Sequence, residues 1–202
     1  MLGLAGAARA QDDTRPNSLV PGAWALQFRL GENFNLISFE GATISIKKQL
    51  SAETALRFGV SPVLRSIDIE NAAADTLILE EDVDVYSLGA SLHWLRYVRP
   101  GSTVNLFWGG GPELAYLHQS SQREGISSAE DVLEAWQVGL AGLIGVEWFA
   151  TRSLGFHGEY GTLLSYNSTT QERTDGNAAL EVSRSDWVLQ GQGVKVGASL
   201  YF

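Results

Sequence analysis

The row Trp136, Val138, Leu140, Gly142, Ile144, Val146, Trp148 constrains this chain more than any other feature. Every second residue is apolar or glycine, and a tryptophan closes each end. The residues between them, Gln137, Gly139, Ala141, Leu143, Gly145 and Glu147, are small or polar apart from Leu143. A period of two marks a strand, because successive side chains point to opposite faces. Twelve steps of about 3.3 Å make roughly 40 Å. Tilted by about 45°, the row rises roughly 28 Å, the depth of a bilayer's hydrocarbon layer, with aromatic rings at both boundaries.

The same parity recurs along the chain. Trp24, Leu26, Phe28 and Leu30 alternate with Ala25, Gln27 and Arg29; Tyr86 to Trp94, Val104 to Tyr116 and Leu154 to Tyr166 repeat the pattern. Eight strands are predicted: 22–31, 36–49, 54–66, 83–98, 103–119, 135–149, 154–167 and 188–202. Segment 36–49 is the least regular. Helices cannot supply a membrane span: the best apolar run, Ala135 to Val146, has 12 residues and contains Gln137, against the roughly 20 required.

Alternation alone also describes a soluble sandwich, so the choice rests on which face is bulky. A soluble fold hides its large apolar residues and wets the other face. Here the bulky face is too large for the core of one small domain, and the other face is mostly Gly, Ala, Ser and isolated charges. Small residues with sparse charges suit the narrow lumen of an eight-stranded barrel, which side chains fill. The bulky face then meets lipid, and closure satisfies every backbone group. The predicted fold is all-β: an eight-stranded antiparallel up-and-down transmembrane β-barrel.

The connections agree. Leu50 to Glu53, Arg99 to Ser102 and Ala150 to Ser153 are short, whereas 67–82, 120–134 and 168–187 are long. Short periplasmic turns and longer extracellular loops alternate in this way in outer-membrane barrels. The first outer loop, Glu32 to Asn35, is short and breaks the symmetry.

Composition narrows the partners. Lys plus Arg number 14 and Asp plus Glu 23, a net charge of −9, which excludes nucleic acid as the main partner because phosphates call for a basic face. With no cysteine, neither a disulfide framework nor a thiolate metal site is available. Charged residues are 18%, below the roughly 25% of soluble domains.

At the amino end, 1–10 (MLGLAGAARA) reads as a signal-peptide remnant, with Ala8-Arg9-Ala10 as the small-x-small cleavage pattern and Gln11 as the first mature residue. Residues 11–21, polar with two prolines, read as an unstructured periplasmic lead-in, and 22–202 as the barrel.

The chain stops on Phe202, and its last residues place Lys195, Gly197, Leu200 and Phe202 in a polar, glycine, hydrophobic, aromatic spacing. This resembles the assembly signal of outer-membrane proteins. The segment 22–202 is similar in architecture to the small outer-membrane β-barrel class that includes OmpA and OmpX. The resemblance implies export through a cleaved signal peptide to the outer membrane of a Gram-negative-type bacterium. It also implies outer-membrane lipid, lipopolysaccharide and the barrel-assembly machinery as partners. Nothing in 22–202 corresponds to a peptidoglycan-binding domain.

The predicted lumen carries Arg29, Lys47, Arg57 and Lys195 against Glu113, Glu147 and Glu159, with His93 and His157 nearby. Opposite charges in near balance suggest an ion-pair network that fills the barrel, since an unpaired buried charge costs several kcal/mol. Rearranging pairs would instead make a gate or proton path. No cofactor and no metal are expected. Loop 67–82, with Asp68, Glu70, Asp75, Glu80, Glu81 and Asp82, has no calcium-loop spacing and reads as a hydrated acidic surface for an extracellular ligand. Its flanks alternate enough to continue the strands as a hairpin, whose edge would suit strand addition.

Ser128 to Asp131 resembles a capping box, which predicts one helical turn there. Gly109-Gly110-Gly111 lacks the Lys-Ser/Thr of a phosphate loop and predicts a bend or bulge. His118 and Ser120, with Glu124 and Glu130 following, form the one suggestive catalytic pair, because His-x-Ser puts both side chains on one strand face. So short a pattern recurs freely in polar strand ends. The expected function is therefore a structural or surface-interaction barrel that is not an enzyme, with a narrow pore and a lipid-modifying enzyme as alternatives.

Overall fold

The computed structural model describes residues 16–31, 41–73, 77–124, 129–175 and 178–202. Eight antiparallel strands follow in chain order: β1 (Trp24–Leu30), β2 (Ala42–Gln49), β3 (Thr54–Ala73), β4 (Leu77–Tyr97), β5 (Val104–Glu124), β6 (Ala129–Phe149), β7 (Leu154–Asp175) and β8 (Ala178–Tyr201). Each pairs with its neighbours in sequence, and β1 pairs with β8 to close the ring. At the seam Trp24 and Phe202 exchange both backbone hydrogen bonds, at 3.1 and 2.9 Å.

Strand length is where the structure departs most from the sequence reading. The connections expected at 67–82, 120–134 and 168–187 are largely strand. β3 to β8 run 20 to 24 residues each, about twice the 9–11 that cross a bilayer. Their outer halves pair as tall hairpins, β3 with β4, β5 with β6 and β7 with β8. Of the helical turn expected at Ser128 to Asp131, Ser128 lies outside the described residues, and Ala129 to Asp131 are strand, paired with β5 and β7. Cross-strand hydrogen bonds satisfy this backbone more completely than one isolated helical turn could. β1 and β2 have only 7 and 8 residues. The 36–40 part of the predicted second strand, the short first outer loop and the signal segment lie outside the described residues.

Gly109-Gly110-Gly111 shifts no register, although the β4–β5 pairing is interrupted beside it, between Ser91↔Glu113 and Trp94↔Gly110. The β5–β6 register runs unbroken from Val104↔Trp148 to Arg123↔Ala129. The three glycines instead allow close approach. A Cβ on Gly109 would lie 2.0 Å from the Trp94 carbonyl oxygen, and one on Gly110 2.2 Å from that of Ala141. The bulge is in β8, where the β7–β8 register shifts between Tyr160 and Thr162. Gly193 there adopts φ +67°, which glycine reaches without a Cβ clash. The extra residue reverses the parity of β8. Without it, Gln190 and Asp186 would share the outer row of Val194 and Val196. With it, Trp187 and Leu189 turn outward and are 70% and 74% exposed.

The distribution of side chains is inside-out. Trp136, Leu140, Ile144, Trp148, Leu106, Trp108, Leu88 and their neighbours lie exposed on the outer wall. Arg57, Lys47, Glu147, His93 and Gln27 are buried within. Apolar packing inside the ring gathers at the end of the short turns, where Leu19, Ala25, Ala55, Leu95, Tyr97, Phe107, Leu143, Phe149 and Tyr201 form one cluster.

The lead-in is tied down in its described part. Asn17 is fully buried and donates from Nδ2 to the carbonyls of Pro100 (2.8 Å) and Ser102 (2.7 Å). Ser18 Oγ donates to the Arg152 carbonyl at 2.7 Å. These carbonyls belong to two of the three short turns, so the segment lies across the turn end with Leu19 inserted into the cluster. Its proline content misleads because tight turns leave carbonyls without strand partners, and side-chain donors here satisfy them.

Candidate functional site: the sealed lumen and the outer rim

Two polar layers fill the barrel. In the lower, Lys47 on β2 donates from Nζ to Glu147 on β6 (3.0 Å), Tyr97 Oη (2.7 Å) and Tyr201 Oη (2.6 Å). Both tyrosines in turn donate to Glu147, at 2.8 and 2.9 Å. The ammonium's three protons and both carboxylate oxygens are thus engaged, as a buried ion pair requires.

In the upper layer, Glu159 on β7 takes two guanidinium groups. Arg57 donates at 2.7 and 3.3 Å, and Arg29 Nη1 donates to Oε1. Arg29 also reaches Ser45 Oγ at 3.2 Å, and Arg57 Nη2 lies 3.2 Å from His93 Nδ1. The other ring nitrogen of His93 lies 3.0 Å from Glu113 Oε1, whose Oε2 accepts from Gln192 at 2.7 Å. His157 contacts Ser199 Oγ at 3.1 Å rather than a carboxylate.

Of the seven charged residues singled out in the sequence, the structure joins six by direct contacts, three of them through Glu159 and two as the Lys47–Glu147 pair, with Glu113 linked through His93. Lys195 stands across from Glu159 in the strand register. With Arg29 and Glu113 it lines a cavity of about 210 Å³. Above this a wider vestibule of about 640 Å³, lined by Gln137, Asn167, Thr169, Gln171, Arg184 and Asp186 among others, opens toward the hairpins. The lumen is therefore a blind well, open toward the hairpins and shut at the turn end. Tyr97, Tyr201 and Gln192 were not anticipated as partners. Tyrosine reads as apolar in an alternation count, and Gln192 lies in the bulge.

Of the residues expected to form an assembly signal, Gly197, Leu200 and Phe202 lie along the β1–β8 seam that closes the ring. Leu200 pairs with Leu26 and Leu154, and Gly197 with Arg29 and His157. A Cβ on Gly197 would lie 2.2 Å from the Phe28 carbonyl oxygen. Among the described residues no group of His, Asp and Glu is arranged to hold a metal ion.

His118 and Ser120 sit on the outer face of β5, just above the Tyr116↔Trp136 pair, with Tyr86 directly across from His118 on β4. The carboxylate beside them is Glu134, the direct cross-strand partner of His118, whereas Glu130 pairs with Gln122 farther along the hairpin. Glu134 Oε1 lies 3.5 Å from His118 Nδ1 and 3.3 Å from the Tyr116 hydroxyl that donates to it. The Tyr116↔Trp136 pairing of like rings would have placed Glu134 opposite His118 from sequence alone, because antiparallel register pairs residues of constant sum.

No family model and no curated protein matches the chain. Among solved structures it is similar to a major outer membrane protein from Thermus thermophilus, with a TM-score of 0.60 and 13% identity over 90% of this chain and 99% of that one. It also aligns with CarO2 of Acinetobacter baumannii (TM-score 0.40, 15% identity, 92% of this chain and 100% of that). CarO of the same organism gives a TM-score of 0.42 at 11% identity, over 92% and 100%. The first likeness establishes a shared barrel fold.

Proposed function

We propose that this chain is an integral outer-membrane β-barrel whose role is exercised by its outer face and its tall hairpins, not by flow through its lumen. The observation that carries the reading is the inside-out wall: exposed Trp, Leu, Ile and Val outside, buried Lys47, Arg57, Glu147 and Glu159 inside. A water-soluble monomer rarely shows a contiguous apolar patch beyond a few hundred Å², whereas a bilayer requires such a belt. The aromatic rings bounding the belt suit the two interfaces.

Lipid and lipopolysaccharide are then the partners of the belt, and the barrel-assembly machinery reads Lys195, Gly197, Leu200 and Phe202. The segment 1–10 serves export. Asp82 and Asp84 continue an acidic face on the β3–β4 hairpin, suited to a cationic extracellular ligand. A pore is the weaker reading, because two layers of bonded side chains and the Asn17 segment block the axis.

A sample in mild detergent, run on a gel with and without boiling, tests the placement. The closed sheet is expected to shift on heating and to be recovered in the detergent phase. Recovery in the aqueous phase would end the reading. Planar-bilayer recordings test the sealed lumen, and large, steady channels would reverse the ranking of structure over pore.

A further inference from the structure

We propose that Ser120, His118 and Glu134 form a hydrolytic site on the outer wall that cleaves ester-linked acyl chains of lipids in the surrounding leaflet. The proposal rests on the outer face meeting lipid and goes beyond a purely structural role.

Strand parity and register bring the three residues together: His118 and Ser120 share the outer face of β5 without a direct contact, and Glu134 pairs with His118. Nucleophilic hydrolysis needs a hydroxyl, a base and a group that orients the base. His118 turns Nδ1 toward Glu134 at 3.5 Å. A proton held on Nδ1 leaves Nε2 as the basic nitrogen. Ser120 follows two residues later on the same face of β5. Its cross-strand partner on β4, Asp84, accepts from Ser66 Oγ at 2.7 Å. Tyr86 stands across from His118, ring centroids 6.4 Å apart, and Tyr116 donates to Glu134. Neighbouring strands thus hold both the imidazole and its carboxylate. His118 is one-third exposed, so a substrate can reach it.

Position selects the substrate class. Tyr116 and Trp136 pair at the top of the apolar belt. His118 and Ser120 lie two and four residues above them, roughly 5–9 Å along the barrel axis for a strand tilted about 45°. That distance is comparable to the polar interfacial layer of a bilayer. Acyl-ester carbonyls lie in this layer, where chain meets headgroup. A soluble ester would need a concave pocket, whereas a lipid lying along the wall is already held by the belt.

The step balances without a cofactor. Ser120 Oγ attacks the ester carbonyl carbon while His118 Nε2 takes its proton. The C–O bond to the headgroup breaks, and the leaving oxygen receives that proton from His118. Water, activated by the same nitrogen, then cleaves the acyl-serine. One ester and one water give one fatty acid and one headgroup alcohol.

The test uses the full chain in vesicles of phospholipid alone and of phospholipid with lipopolysaccharide, and measures released fatty acid by mass spectrometry. A fluorophosphonate probe in detergent reports the nucleophile independently of the lipid. Release from at least one vesicle type is expected, with the two arms identifying which lipid carries the ester. S120A and H118A should each lose on the order of 100-fold or more while keeping the heat-shifted gel band. Glu134→Gln should lower kcat without raising KM, which a merely structural residue would not do. Ser120 should take the probe, and S120A should not. Silence toward both vesicles and probe, or release unchanged in S120A, overturns the site. Labelling of Ser120 without release from either vesicle keeps the nucleophile and overturns the lipid ester as its substrate. Loss of the heat shift in the wild type would instead indict the membrane placement.

Discussion

Lys47 on β2 and Glu147 on β6 meet across the barrel 3.0 Å apart, although 100 residues separate them in the chain. Both are buried, and Tyr97 and Tyr201 bridge them on either side. This pair is the lower seal of the lumen, so replacing one partner tests whether the seal also holds the fold. Lys47→Met leaves a buried carboxylate without its counter-ion. It should cost about 3–5 kcal/mol, while the double variant K47M/E147L should recover most of that loss. Urea titration in detergent, read by the unboiled gel band, measures both.

The belt makes a second prediction. Leu140 is 64% exposed near the middle of the Trp136–Trp148 row. Leu140→Arg should cost about 2–4 kcal/mol in a bilayer and much less in detergent micelles, which deform around a charge. Equilibrium folding into phosphocholine vesicles checks it. Equal stability of wild type and variant in vesicles would mean that the row faces water.

Glycines that look alike in sequence should differ sharply. Gly109→Ala drives a Cβ to within 2.0 Å of the Trp94 carbonyl oxygen, whereas a Cβ on Gly158 meets nothing within 4 Å. Gly109→Ala should lose about 1–3 kcal/mol or more, and Gly158→Ala should stay within about 0.5 kcal/mol. Denaturation midpoints of the two variants, compared side by side, decide this.

Asn17→Ala removes two hydrogen bonds to turn carbonyls. A loss of about 1–3 kcal/mol is expected, with faster proteolysis at the turn end and no change in the heat shift. Limited proteolysis of reconstituted vesicles, with the turn end accessible, provides the measurement.

Much of the architecture was legible because a period of two is a local property. Trp24, Trp136 and Trp148 face outward as their parity requires, and Arg57, Lys47 and Glu147 face inward. Strand length was less legible. Toward the hairpin ends the outer row itself turns polar, as at Ser168, Thr170 and Ser183, so the contrast between faces that reveals a strand is lost. The β8 bulge was hidden for a related reason: one inserted residue near Gly193 changes parity without changing composition. The rim site was half legible, since His118 and Ser120 share a strand while Glu134 belongs to the next.

By itself the sequence determined the number of strands that cross the belt, the face each presents and the charges assigned to the interior, because backbone geometry ties side-chain direction to residue parity. Only the tertiary structure decided which charge meets which. Arg29 and Arg57 converge on Glu159, Lys47 on Glu147, and Glu134 on His118 through ring closure and strand register. Those depend on hydrogen-bonded pairing between residues far apart in the chain, and no local pattern encodes it.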